Sequence, residues 1–383
     1  MMTRLHSHRS HAKALFLPLI LGLVGMFAGL NAHADLKSTW FSAAKAGIYQ
    51  ARFDDDKGVL SELRQTVSGI DSNYLVQHPM LRVLYSINLR DGGGEIAAYT
   101  IHMDGHLERF SAFSTECRNG AHISVSPDGR LLAVAYYSSG HTGIYALDEQ
   151  GAIRSKVLEY AHKGSSVDPR RQREPHPHWT GFDRAGKHLF VTDLGTDQIW
   201  VYRVNAAKGK AAFSHTIKVS PGSGPRHLAF HPSEPWAYVS DELSAGVSFF
   251  HYDVKKATLK RMESRSGSLS AKRDPKSNVS DIRIHPSGRF LYVVNRIYDQ
   301  VTTFAINPET GMLLPVQDEP IRGTISRNMV LSENGRWALV SGSVSGSIAV
   351  FKLDQDSGEL SFVPGQWHAV PNARGIVIDG YAN

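Results

Sequence analysis

Apolar and polar residues alternate along most of this chain in short runs, and turn-forming residues break the runs at regular intervals. Alternation with period two is the pattern of a strand that buries one face, so the chain predicts many short strands. The segment from Arg170 to Asn205 shows the unit most clearly. HWTGFD reads as one strand, RAG as a turn and HLFVTD as a second strand. LGTD is a further turn, and QIWVYRVN is a third strand rich in aromatic and β-branched residues. No amphipathic helical stretch of useful length interrupts the pattern. A unit this small cannot bury its own faces and needs neighbours of the same kind.

The chain supplies them. Six copies are marked by turns beginning at His78 (HPML), Ser126 (SPDG), Asp183 (DRAG), His231 (HPSE), His285 (HPSG) and Ser332 (SENG), spaced 47 to 57 residues apart. That spacing fits propeller blades and is too long for helical repeats. Fragments remain at both ends. AGIYQARFDDDKGVLSEL near the start reads as a third and a fourth strand, and NARGIVIDG near the finish reads as a first strand. Joining them gives the predicted fold: an all-β, seven-bladed β-propeller closed by pairing of N- and C-terminal strands, which removes open sheet edges. Two stretches, Tyr160 to Arg173 and Ser264 to Asn278, read as surface insertions between blades.

The first 34 residues stand outside this pattern. Arg4, Arg9 and Lys13 precede an apolar run from Ala14 to Leu30, and Ala32-His33-Ala34 is an A-x-A cleavage site. Residues 1–34 therefore read as a secretory signal peptide, residues 35–383 as one propeller domain and the protein as periplasmic; an uncleaved anchor is the competing reading. Removing the leader removes three cations and no acids, so the formal charge of +6 falls to about +3. No basic run remains that suggests nucleic-acid binding. Cys117 is the only cysteine, so no intrachain disulfide or cysteine-type zinc site forms, and it reads as a buried spacer.

In a blade, the start of the first strand and the end of the second lie on the same face. Aligned on the turns, the residue five before each turn is Asn73, Ala121, His178, Arg226, Ser280 and Arg327. The residue just past each second strand is Leu89, Tyr137, Leu194, Glu242, Arg296 and Ser343. Ionisable groups thus gather at two repeat-equivalent positions around one mouth of the channel. Asp193, Asp241 and Asn295, one residue earlier in the second register, are candidates to orient them and contact substrate.

These residue types suit acid-base attack on a carbonyl with anion stabilisation. A histidine takes a proton from water, and arginines bind an anion or a developing oxyanion. Glu242 orients the histidine, pairs with Arg226 or exchanges protons. No G-x-S-x-G elbow is present, so a covalent acyl-enzyme is not indicated. Bland readings stand beside each: His178 as a structural histidine, Arg226 and Arg296 as ion-pair partners of Glu242, His231 and His285 as turn residues, His122 and His227 as packed between blades. His176 is a second candidate base. A metal held by His176, His178 and Glu242 is disfavoured by the surrounding arginines, so neither metal nor cofactor is expected.

RQREPHPH, GSGPRHLAFHPSEPWAYVSDEL, and IRIHPSGRFLYVVNR followed by DQVTTFAINPETGML resemble the β-propeller lactonase family. That family includes the propeller-type 6-phosphogluconolactonases and, more distantly, the fungal carboxy-muconate lactonising cyclases. The resemblance implies a seven-bladed propeller with a lactone-handling histidine, two arginines and a glutamate, matched here by His178 or His176, Arg226, Arg296 and Glu242. Three positions depart from the family pattern: Asn88-Leu89, Tyr136-Tyr137 and Asp281-Ile282-Arg283 are expected to alter the rim.

The expected activity is therefore hydrolysis of a sugar lactone by a monomer of the 6-phosphogluconolactonase type, with Arg327 and Tyr137 as further substrate contacts. Because phosphorylated sugar lactones are cytoplasmic, the alternative for an exported relative is that it acts instead on an unphosphorylated aldonolactone. Two alternatives carry different tests: a noncatalytic propeller that binds a partner through rim residues Tyr136, Tyr137 and Tyr298, and a cycloisomerase that closes a lactone on an unsaturated dicarboxylate.

Overall fold

The computed structural model describes residues 36–269 and 278–380; the leader and much of the polar stretch after Ser264 lie outside the described residues. The described residues form seven four-stranded antiparallel sheets. Within each, the first strand packs against the first strands of the two neighbouring blades, and this chain of contacts closes into a seven-membered ring. The sheet edges nearest the axis are thus shielded by one another.

Blade 4 is the segment dissected above: Pro177–Phe182, His188–Asp193, Gln198–Asn205 and Lys210–Lys218 run from the axis outward. Its middle strands are almost wholly buried, while Lys210–Lys218 alternates toward solvent. The period-two signal is strongest on the edge strands, and the middle strands read as continuous apolar runs, as burial on both faces requires.

Blade 1 closes the ring as expected and adds a second strand that the sequence reading left unassigned. The C-terminal part supplies only the innermost strand, Gly375–Ile378, while the N-terminal part supplies three: Leu36–Ser42, Ile48–Asp54 and Val59–Val67. Leu36–Ser42 pairs with Gly375–Ile378 through Thr39 to Ser42, and the Ser42 hydroxyl accepts a hydrogen bond from Gly375 N at 2.7 Å. Leu36–Ser42 is hard to recognise in sequence because the turn that precedes every other second strand is here at the opposite end of the chain. The two insertions are also shorter than expected. Tyr160 and Ala161 end the strand Ile153–Ala161, and Ser264 to Ser266 end Thr258–Ser266.

Neighbouring blades are fastened by a recurring side-chain bond. In the HP turns the histidine Nδ1 accepts turn N–H groups, which places the proton on Nε2. That proton is then donated to a glycine carbonyl of the next blade: His78 to Gly129 at 3.0 Å, His231 to Gly288 at 2.9 Å and His285 to Gly335 at 2.9 Å. Gly288 has φ +75° and an added Cβ would lie 2.6 Å from the His231 ring, so glycine is required there twice over. The turn histidines are turn residues as expected, and they also join blades.

One irregularity repeats at the start of the first strands. In blades 2 to 5, Asn73, Ala121, His178 and Arg226 each fall at a β-bulge, with no opposing residue on the second strand. In blade 6 the shift is wider, between Val279 and Ile282, so that Ser280 and Asp281 both fall inside it. A bulge bends its strand and re-aims the extra side chain.

Candidate active site

The re-aimed residues meet in a cavity of about 260 Å³ at one mouth of the channel. The first register contributes Asn73, Ala121, His178, Arg226 and Arg327, and the second contributes Tyr137, Glu242 and Arg296. Ala121 is the only aliphatic side chain among the lining residues, so the cavity suits a small, strongly polar molecule. His178, Arg226, Glu242 and Arg296, drawn from three blades, share this one space.

Glu242 is its hub. Its Oε2 accepts from Arg226 Nε at 3.0 Å and lies 2.8 Å from Arg296 Nη2, and its Oε1 accepts from Arg171 Nη2 at 2.8 Å. Burial alone would raise the Glu242 carboxyl, but Arg296, Arg226 and Arg171 outweigh it and hold the group at about 2. One carboxylate cannot offset three guanidinium groups. Arg226, buried beside Arg296, is drawn down to about 10 and remains charged at neutral pH. Arg296 sits close to Glu242 without hydrogen-bond alignment, and its Nε and Nη2 make no hydrogen bond to protein among the described residues.

His178 presents a buried Nδ1 with no hydrogen-bond partner among the described residues, its ring edge-on to Tyr137 and 5.5 Å from the His227 ring. Burial, with Arg226, His227 and Arg296 nearby, holds its pKa well below 6.5. It is therefore a neutral imidazole at physiological pH. His176 is placed differently: it stacks on Tyr137, with centroids 4.4 Å apart, and its Nδ1 faces the Tyr137 carbonyl at 3.0 Å, outside the cavity lining.

Several expected contacts fall elsewhere. Asp193, Asp241 and Asn295 do not line the cavity. They end the second strands, where alternation turns each away from its neighbour in the second register. Asp193 Oδ1 accepts from the backbone N–H groups of His176, Gly195 and Thr196, and its Oδ2 lies 2.7 Å from His162 Nδ1. Asn295 Oδ1 likewise accepts from Ile297 N and Tyr298 N. Asp241 is buried, accepts from the Ser248 hydroxyl at 2.6 Å, and is raised by burial to about 7. Tyr136 is no rim residue: it is 1% exposed and hydrogen-bonds Tyr145. Asp281 also lies within the molecule, 1% exposed, while Arg283, bonded to it, is partly exposed.

Five cavity residues escaped the sequence reading: Tyr74 and Asn119, which flank register positions, and Arg171, Arg374 and His227. Arg171 comes from the insertion after Ile153–Ala161 and has no repeat equivalent; besides Glu242 it donates to the Tyr137 hydroxyl at 3.1 Å. The insertion is pinned at both ends by Asp193, through His162 and His176 N, and near its middle by Gln172 Nε2 to the Leu194 carbonyl at 2.9 Å. Arg374 lies five residues before Asp379, the spacing that Arg226 keeps from its own turn, so extending the register to the last blade would have found it. His227 was assigned between blades; the bulge at Arg226 lets it line the cavity as well. Arg374 donates to Asn73 Oδ1 at 2.8 Å, and neither it nor Arg327 makes an ion pair among the described residues. No group of three or more His, Cys, Asp or Glu side chains among the described residues is arranged to hold a metal ion.

The family model described as "Lactonase, 7-bladed beta-propeller" matches residues 37–377. The chain is 30% identical to a 6-phosphogluconolactonase of Bacillus subtilis over 85% of its length and 93% of that protein's. It is 32% identical to a 6-phosphogluconolactonase of Formosa agariphila over 83% of its length and 91% of that protein's. Among solved structures, a periplasmic gluconolactonase of Pseudomonas aeruginosa superposes with a TM-score of 0.83 at 27% identity, covering 90% of this chain and 99% of that one. With its ring of seven blades, its cation-lined cavity and these relatives, the chain belongs to the seven-bladed β-propeller lactonase family and is a lactonase.

Proposed function

We propose that the protein hydrolyses an aldonolactone bearing a phosphate or carboxylate, with 6-phosphogluconolactone as the test substrate. The observation that carries this reading is charge: five arginines line the cavity against one glutamate. Arg226, Arg296 and Arg171 converge on Glu242, whereas Arg327 and Arg374 stand apart without a counter-ion. The first group serves the reacting carbonyl and the second the remote phosphate or carboxylate.

In the proposed reaction, water attacks the lactone carbonyl carbon as its proton passes to the neutral imidazole of His178. The carbonyl electrons move to oxygen, where Arg226 and Arg296 donate hydrogen bonds. Collapse of the tetrahedral adduct breaks the bond to the ring oxygen, which takes the proton back from the imidazolium. The depressed basicity of His178 makes the first transfer harder and the second easier, and an alkoxide leaving group gains from a strong acid. Glu242 holds the arginines in place and does not itself exchange protons. We further infer that residues 1–34 direct export and are cleaved after Ala34, so that the monomer acts in the periplasm. The leader's basic start, apolar run and A-x-A site support this reading.

Hydrolysis of 6-phosphogluconolactone and of gluconolactone by the purified protein tests the proposal. Arg327→Ala and Arg374→Ala are expected to lower kcat/KM for the phosphorylated lactone by roughly 10- to 100-fold each, the weight of one charge-assisted contact, with little effect on the neutral lactone. Equal losses on both lactones, or preference of the wild type for the neutral one, count against the anionic subsite. Recovery of protein beginning at Asp35 from the periplasmic fraction tests export; an intact leader in the cytoplasm refutes it.

A further inference from the structure

Beneath Arg226 lies a second polar chain that the hydrolysis steps do not use. His227 is 2% exposed; its Nδ1 is 2.9 Å from Asp281 Oδ1, and its Nε2 is 3.0 Å from Arg226 Nη1. Asp281 is itself fixed by Arg283, by Asn328 Nδ2 at 2.8 Å and by Met329 N at 2.9 Å. Its carboxylate only accepts, so Nδ1 of His227 carries the proton and Nε2 is left as an acceptor. The Arg226 N–H groups only donate, and Nε2 takes one of them. Arg226 is therefore clamped at two edges, by Glu242 on Nε and by His227 on Nη1, and Nη2 is the corner free to meet a ligand.

We propose that Asp281 and His227 form a positioning pair that fixes the rotation of the Arg226 guanidinium by holding His227 in the Nδ1–H tautomer. This inference rests on the lactone-hydrolysing reading of the same cavity, and it assigns neither residue a contact with substrate. A guanidinium held by Glu242 alone is free to pivot about the Nε contact. Held at a second edge, it keeps its remaining donor aimed at one point, which is what stabilisation of a developing oxyanion requires. The wide bulge in blade 6 is the local feature that carries Asp281 to this position.

Two substitutions separate positioning from packing. His227→Gln places an acceptor where Nε2 stood and keeps the hold on Arg226; His227→Asn places a donor where Nδ1 stood, keeping the bond to Asp281 and losing the hold. For lactone hydrolysis, His227→Asn is expected to lose roughly 10²- to 10³-fold in kcat with KM little changed, the range for one misplaced oxyanion donor. His227→Gln is expected to stay within about tenfold of wild type. Asp281→Asn permits the other tautomer, turning an N–H against Arg226, and is expected to lose at least as much as His227→Asn. Nitrogen-15 NMR of the His227 ring reads the tautomer without turnover, with Nδ1 protonated in the wild type and in Arg226→Met, and Nε2 protonated in Asp281→Asn. Equal kcat for His227→Gln and His227→Asn, or an Nε2–H wild type, overturns the proposal. If the wild type shows the expected tautomer but opens no lactone, the reading of the reaction fails and the positioning pair stands.

Discussion

Glu242→Gln removes the only carboxylate among five cavity arginines, and its consequences follow from numbers already given. The group titrates at about 2 in the folded protein against an ordinary 4.5. At about 1.4 kcal/mol for each pH unit, that difference gives the wild type about 3 kcal/mol at neutral pH. The sign follows from the depressed acid: the stabilisation is fully present above 4.5 and is lost as pH falls toward 2. An independent route gives the same size, since removing one partner from a buried ion pair costs about 3–5 kcal/mol by leaving charge uncompensated. Urea unfolding at pH 7 should therefore place Glu242→Gln about 3–5 kcal/mol below wild type, with the gap narrowing by about 2 kcal/mol at pH 3. Added phosphate should restore the variant more than the wild type, because the freed arginines bind it. A variant within about 0.5 kcal/mol of wild type at pH 7, or a gap independent of pH, would refute the hub assignment.

Other consequences are as direct. Because burial and three neighbouring cationic or polarised groups keep His178 neutral, kcat/KM should be flat through neutral pH and fall only below the usual histidine range. Arg296→Met should move that acid limb upward, and a wild-type limb at or above 6.5 contradicts the base assignment. Arg171→Ala should raise KM about tenfold while changing stability by less than about 1 kcal/mol, since this half-exposed side chain is screened; an unchanged KM excludes it from the site. His231→Ala should lower stability by about 1–3 kcal/mol through the lost bond to Gly288 and the stranded turn N–H groups, with kcat unaffected. Loss of activity in a folded His231→Ala protein would show that the inter-blade bond also shapes the cavity.

The ring and half of the cavity were legible because turn spacing and strand alternation are local properties that every blade repeats. Counting from the turns finds His178, Arg226, Glu242 and Arg296 without knowledge of any contact. What the count misses has physical causes. A β-bulge depends on pairing with the second strand, so sequence alternation sends His227 to the wrong side. Asp281 is misplaced for the same reason, by a wider bulge. Arg171 sits on an insertion whose path is set by Asp193, and Asp193 looked like a site residue because its role is visible only in three dimensions. Arg374 was within reach of the register and lacked only the step of treating NARGIVIDG as a full member of the repeat.

The central claim is that blades distant in sequence assemble a histidine and arginines into one lactone-opening site. Comparing hydrolysis of 6-phosphogluconolactone by wild type and His178→Ala tests it most directly, because no protein hydrogen bond to His178 Nδ1 is lost in the variant. The account predicts rapid turnover by the wild type and a fall of roughly 10²- to 10⁴-fold in kcat for a variant of unchanged stability. Full turnover by His178→Ala would contradict it.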